Sequence, residues 1–130
     1  MPLTHTVLLV RDFEASFNFY SDCLDFEVVT GDRGGPMAVF SSGDARLGIF
    51  DRSKRPELFG EFREPAATTS PLFILAVWVD DVDKVITGLR ERDVGIALDP
   101  TDFAGFGYRS ALCLDPDHNR IELYQPILPG

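Results

Sequence analysis

At 130 residues, with 45% hydrophobic and 25% charged side chains, the chain is long enough for one domain with a sizeable core. A net charge of -9 excludes the broad Lys/Arg surface that nucleic acid or an anionic membrane requires, and no run approaches the ~18 apolar residues of a membrane span. Cys23 and Cys113 form neither a C-x-x-C pair nor a disulfide framework and read as buried thiols of a reducing compartment, so a cytoplasmic protein is expected.

Leu3 to Val10 reads as an apolar-rich strand interrupted by Thr4, His5 and Thr6, with Asp12 following as a helix N-cap. Phe13, Phe17, Tyr20 and Leu24 fall at i, i+4, i+7 and i+11, one face of a helix that ends near Leu24. Phe26 to Thr30 is a second strand, Gly31 to Gly35 a turn, and Met37 to Ser41 a third strand. Ser42-Gly43-Asp44 turns the chain into a fourth, Arg46 to Phe50. Residues 52 to 71 break the pattern, with Pro56, Pro65 and Pro71 as punctuation; they read as a linker with a short helical turn around Glu57 to Gly60. Its basic cluster, Arg52 to Arg55, is too short to be more than a solvated loop.

The order then restarts. Leu72 to Val79 is a strand, Asp81 an N-cap, and Val82, Val85, Ile86 and Leu89 mark a helix face. Val94 to Leu98 is the next strand, and a Gly- and aromatic-rich loop, Asp102 to Tyr108, leads into a hairpin. Leu112, Leu114, Ile121 and Leu123 alternate around an Asp115-Pro-Asp-His-Asn119 turn. Glu122 lies between Ile121 and Leu123, so the two-residue side-chain period sends it to the opposite face of its strand. Leu9 to Phe13 matches Trp78 to Val82 at an offset of 69, and Arg46 to Phe50 matches Arg120 to Tyr124 at an offset of 74. Both halves therefore read β-α-β-β-β. Two copies of a unit too small to fold alone predict an α+β fold whose sheets share a concavity: module 1–51, linker 52–71 and module 72–126.

His5 through Asp12 with Phe19, Tyr20 and Leu24, then Val79 to Val82 and Asp115 to Glu122, resemble the vicinal oxygen chelate (VOC) superfamily of glyoxalases, bleomycin-resistance proteins and extradiol dioxygenases. The resemblance spans nearly the whole chain. It implies a single glyoxalase-like domain of two βαβββ modules with curled sheets around a small-molecule or metal cavity, and a homodimer. It also implies four metal-ligand positions, on the first and last strands of each module. His5 and Glu122 match two of them, while Gly48 and Ile74 stand at the other two and are not ligands. A catalytic divalent site normally takes three protein donors, so no cofactor is expected, with a divalent metal on His5 and Glu122 as the alternative. His118 is assigned to the turn, where a residue tolerating positive φ is needed. Asp44 and Asp80 are near strand ends, but nothing in the sequence brings them to the site.

The remaining wall is expected to hold Val7, Leu9, Phe50, Ala76, Trp78 and Tyr124, with Arg46, Arg109 and Arg120 as polar fixtures and Phe106 and Tyr108 on a closing loop. For any one aromatic, ordinary core is the simpler reading; together, a Trp and a Tyr beside His5 and Glu122 favour a planar or aromatic ligand. The function expected is glyoxalase/bleomycin-resistance-like binding of an apolar or aromatic small molecule at an incomplete metal site. The alternative is a divalent-metal VOC enzyme of lyase, isomerase or dioxygenase type using His5 and Glu122.

Overall fold

Two tandem units, Met1–Thr68 and Thr69–Gly130, make up the chain. The computed structural model describes residues 1–54 and 73–127. The helical turn expected at Glu57 to Gly60 lies outside the described residues. No helix among those described is long and apolar enough to cross a membrane.

Unit 1 runs β1 (Thr6–Val10), α1 (Phe13–Asn18), β2 (Glu27–Gly31), β3 (Met37–Ser42) and β4 (Ala45–Asp51), with sheet order β1-β4-β3-β2. Asp12 caps α1, its Oδ1 accepting from Ala15 N at 3.0 Å. One π-helical turn, Phe19–Cys23, follows α1 and ends at Leu24, so the helical face does stop where the spacing predicts. Phe17 and Tyr20 bury against Phe40, and Phe19 packs edge-on against Tyr20. β1 begins at Thr6 rather than Leu3, since Thr4 and His5 have no ladder partner on β4.

Unit 2 repeats the design: β5 (Ile74–Trp78), α2 (Val82–Glu91), β6 (Ile96–Phe103), β7 (Tyr108–Leu114) and β8 (Arg120–Pro126), in the order β5-β8-β7-β6. Asp81 caps α2 through Lys84 N at 3.1 Å, and the Gln125 carboxamide accepts from Val82 N at 2.7 Å. Val82, Ile86 and Leu89 of α2 pack on the sheet face that buries Ala111, Cys113, Ile121 and Leu123. Each fully buried aliphatic there contributes about 1.5–3 kcal/mol. Each sheet is mixed, because the first strand of each unit pairs in parallel with the last.

One stretch differs from the sequence expectation. β6 runs on to Phe103, well past Leu98, and the anticipated loop is a tight hairpin turn in which Phe106 N and Gly107 N both donate to Phe103 O. Pro100 falls inside this strand, because β6 is an edge strand with a register irregularity between Leu98 and Thr101, where a missing N–H breaks no ladder bond. Gly107, at φ +82, supplies the turn's left-handed residue rather than a hinge.

Candidate functional site

Register places the site residues more firmly than the sequence could. In unit 2, Ala76 pairs with Glu122 and Trp78 with Tyr124, while Leu112 faces Glu122 and Ser110 faces Tyr124 across the β7–β8 ladder. Paired residues share a face of the sheet. Gln125, which caps α2, and the buried Leu123 and Ile121 mark the helix face, so Glu122 and Tyr124 point away from α2.

On that face Glu122 is half-buried and held. Ser110 Oγ donates to Glu122 Oε2 at 2.8 Å, and Ser110 itself is only 1% exposed. Ser110 was not legible as a site residue, although hairpin arithmetic across the Asp115–Asn119 turn puts it one diagonal from Glu122. Beside the carboxylate lies an aromatic run: Tyr124 to Tyr108 at 5.8 Å between ring centroids, then Tyr108 to Phe106 at 6.3 Å. Trp78, in register with Tyr124, is 58% exposed, and Phe106 at the hairpin tip is 77% exposed. A carboxylate fixed by a buried hydroxyl beside exposed rings can accept a hydrogen bond from a planar ligand stacked on them.

Arg109 does not join this group. It lies on the helix face, opposite Gln125, where Nε and Nη2 donate to both carboxylate oxygens of Asp83 at 2.9 Å and Nη1 donates to Asp102 at 3.0 Å. Those bonds raise the guanidinium's pKa and hold the Asp83 carboxyl below the usual range, the Arg109 hydrogen bond being the main cause. Alternation explains the placement: Arg109 has the parity of Ala111 and Cys113, the buried helix-side residues.

In unit 1, Val7 pairs with Gly48 and Leu9 with Phe50, the positions equivalent to Ala76–Glu122 and Trp78–Tyr124. The buried Leu8, Val10 and Ile49 face α1, so Val7 and Phe50 face away from it. His5 precedes β1, and Thr4 Oγ1 and its Nδ1 share a hydrogen bond of 2.9 Å. Its ring covers Gly48: a Cβ there would stand 3.2 Å from His5 Cδ2 and 3.2 Å from Val7 Cγ2. A larger side chain at 48 would have to displace the imidazole. Ile74, the counterpart of His5, is apolar and 46% exposed.

His5 is the one family ligand position filled by a donor in unit 1 and Glu122 the one in unit 2, and among the described residues no three His, Cys, Asp or Glu side chains gather as metal ligands. His118 is in the hairpin turn at φ 64, with its backbone N donating to Asp115 O at 2.9 Å. The buried Asp115 carboxylate organises that turn, accepting from Asp117 N, Asn119 N and Asn119 Nδ2.

Comparison with known proteins agrees with this architecture. Residues 3–123 match the model of the Glyoxalase/Bleomycin resistance protein/Dioxygenase superfamily. The uncharacterized protein YraH of Bacillus subtilis is 32% identical over 98% of this chain and 100% of its own length. A glyoxalase/bleomycin resistance protein/dioxygenase family enzyme from Burkholderia phytofirmans superposes with a TM-score of 0.79 at 19% identity, covering 98% of this chain and 100% of that one. A lactoylglutathione lyase from Agrobacterium tumefaciens gives a TM-score of 0.68 at 21% identity, covering 95% and 92%. At these identities the superpositions speak to the fold alone.

Proposed function

The chain belongs to the Glyoxalase/Bleomycin resistance protein/Dioxygenase superfamily, and within it we propose a cytoplasmic, homodimeric binding protein that sequesters an apolar or aromatic small molecule without a metal. The observation that carries the reading is the Ser110–Glu122 hydrogen bond on a sheet face furnished with Trp78, Tyr124 and Tyr108. Holding a carboxylate half-buried beside exposed rings serves stability poorly and ligand orientation well. In this reading Trp78 and Tyr124 stack the ligand and Glu122 accepts from its N–H or O–H.

The rival is a divalent-metal VOC enzyme, favoured by His5 and Glu122 standing at two family ligand positions. Two donors where a catalytic site uses three argue against it. The test is elemental mass spectrometry after anaerobic reconstitution with Fe²⁺, Ni²⁺, Zn²⁺ and Mn²⁺, run beside a titration of aromatic compounds with and without chelator. The proposal expects no stoichiometric metal and chelator-insensitive binding that perturbs Trp78 fluorescence. Near-stoichiometric metal that is lost in Glu122→Gln would overturn it.

A further inference from the structure

We propose that the ligand of the Glu122 face is an arylalkyl molecule carrying an oxyanion, carboxylate or phosphonate, which Arg120 binds. The inference rests on the reading of that face as a ligand site and adds the ligand's charge.

Arg120 stands two residues before Glu122 on β8, hence on the same face, in register with Ile74 on one side and Leu114 on the other. It is half-buried between these apolar neighbours. Among the described residues its guanidinium has no ion-pair or hydrogen-bond partner, although its backbone is part of the ladder. The chain holds 21 acidic residues, and other arginines use them: Arg33 with Asp22, Arg90 with Asp99, Arg109 with Asp83 and Asp102. Even Glu122, the acid nearest along the strand, takes its hydrogen bond from Ser110 instead. A partly desolvated guanidinium with five donors and no acceptor is an open oxyanion fork.

The placement recurs. Arg46 occupies the equivalent position in unit 1, two residues before Gly48 and on its face, and among the described residues it too has no ion-pair partner. Arg46 is exposed where Arg120 is half-buried, and the position two residues after it is glycine, so an arginine stands at this strand position without a carboxylate beside it. About 13 Å of strand separates the α-carbons of Arg120 and Tyr124. That span suits a ring on Tyr124 and Trp78 joined by a short chain to an anion at Arg120, with Glu122 between them facing a donor. The overall charge of -9 repels anions, so selectivity for one has to come from a local fork.

The test uses the full chain and the fluorescence of Trp78, its single tryptophan. The probes are 3-phenylpropionate, its neutral amide and 2-phenylethylphosphonate, and circular dichroism confirms that every variant is folded. One or both anions should bind about tenfold tighter than the amide, the size of one charge-assisted bidentate contact. Arg120→Gln should remove that preference while leaving the amide unchanged, and Arg120→Lys should retain part of it. Carboxylate over phosphonate, or the reverse, then identifies the oxyanion. Equal binding of anions and amide, or a preference that survives Arg120→Gln, overturns the charge assignment and leaves the ligand site standing. If no probe perturbs Trp78, the ligand site and the anion handle fall together.

Discussion

The Ser110–Glu122 pair is open to a double-mutant cycle. Ser110 is 1% exposed and donates at 2.8 Å to a carboxylate on a partly solvated face. Ser110→Ala removes the donor, but water can still reach Glu122, so the loss should be about 1 kcal/mol. Glu122→Ala leaves a buried hydroxyl with no acceptor, which costs about 2 kcal/mol. Removing both leaves nothing unsatisfied, so the double variant should be about 1–1.5 kcal/mol more stable than the sum of the single losses predicts. Urea denaturation followed by far-ultraviolet circular dichroism reads these values. With an m-value of about 1.5 kcal/mol/M, the Glu122→Ala midpoint should fall by about 1.3 M. Single losses that add to the double within about 0.5 kcal/mol would refute the coupling, and with it the claim that Ser110 orients the carboxylate.

Two further outcomes follow from the geometry. Arg109 lowers the Asp83 pKa, so the pair's contribution is present above the ordinary aspartate value of about 3.9 and fades as pH falls through the lowered native value; the difference in thermal midpoint between wild type and Asp83→Asn should hold steady from about pH 5 to 8 and close below about pH 4, whereas a gap unchanged in strong acid would sink the assignment. His118 sits exposed at φ 64 with no side-chain role in the turn, so His118→Gly should stabilise by about 0.5–1 kcal/mol, since relief of left-handed strain outweighs glycine's added chain entropy; differential scanning calorimetry should show the midpoint rising by about 2–4 °C, and no rise would mean the imidazole makes a contact of its own.

The fold was legible because its signals are redundant. Asp12 and Asp81 cap their helices as placed, and the offsets of 69 and 74 reappear as equal registers, Val7 on Gly48 and Ala76 on Glu122. Where a strong local signal competed with pairing, the reading failed. The glycines and aromatics of Asp102 to Tyr108 suggested a loop, but an edge strand runs on through Pro100 to Phe103 and a tight hairpin uses the glycine. Arg109 looked like a pocket fixture because charge carries no face information. Only parity relative to Ala111 and Cys113 assigns its face, and that parity turns it toward α2 and Asp83.

The site divides along the same line. The strand face of Glu122 was legible because an acid flanked by buried Ile121 and Leu123 must face the other way. Ser110 was not, because a serine in a strand is unremarkable until the cross-strand register sets it beside a carboxylate. The divergence between the halves has its own logic. In unit 1 the position equivalent to Glu122 is glycine, and the His5 ring lies across it, filling the volume a longer side chain would need. In unit 2 the position equivalent to His5 is Ile74, which leaves Glu122 with a hydroxyl donor in place of an imidazole. Each copy holds one polar group at these two positions and a glycine or an isoleucine at the other. An ion needs several donors around one centre, whereas an organic ligand needs single polar groups set apart on an apolar wall. The residues at these four positions therefore suit the organic ligand proposed for the Glu122 face better than they suit an ion.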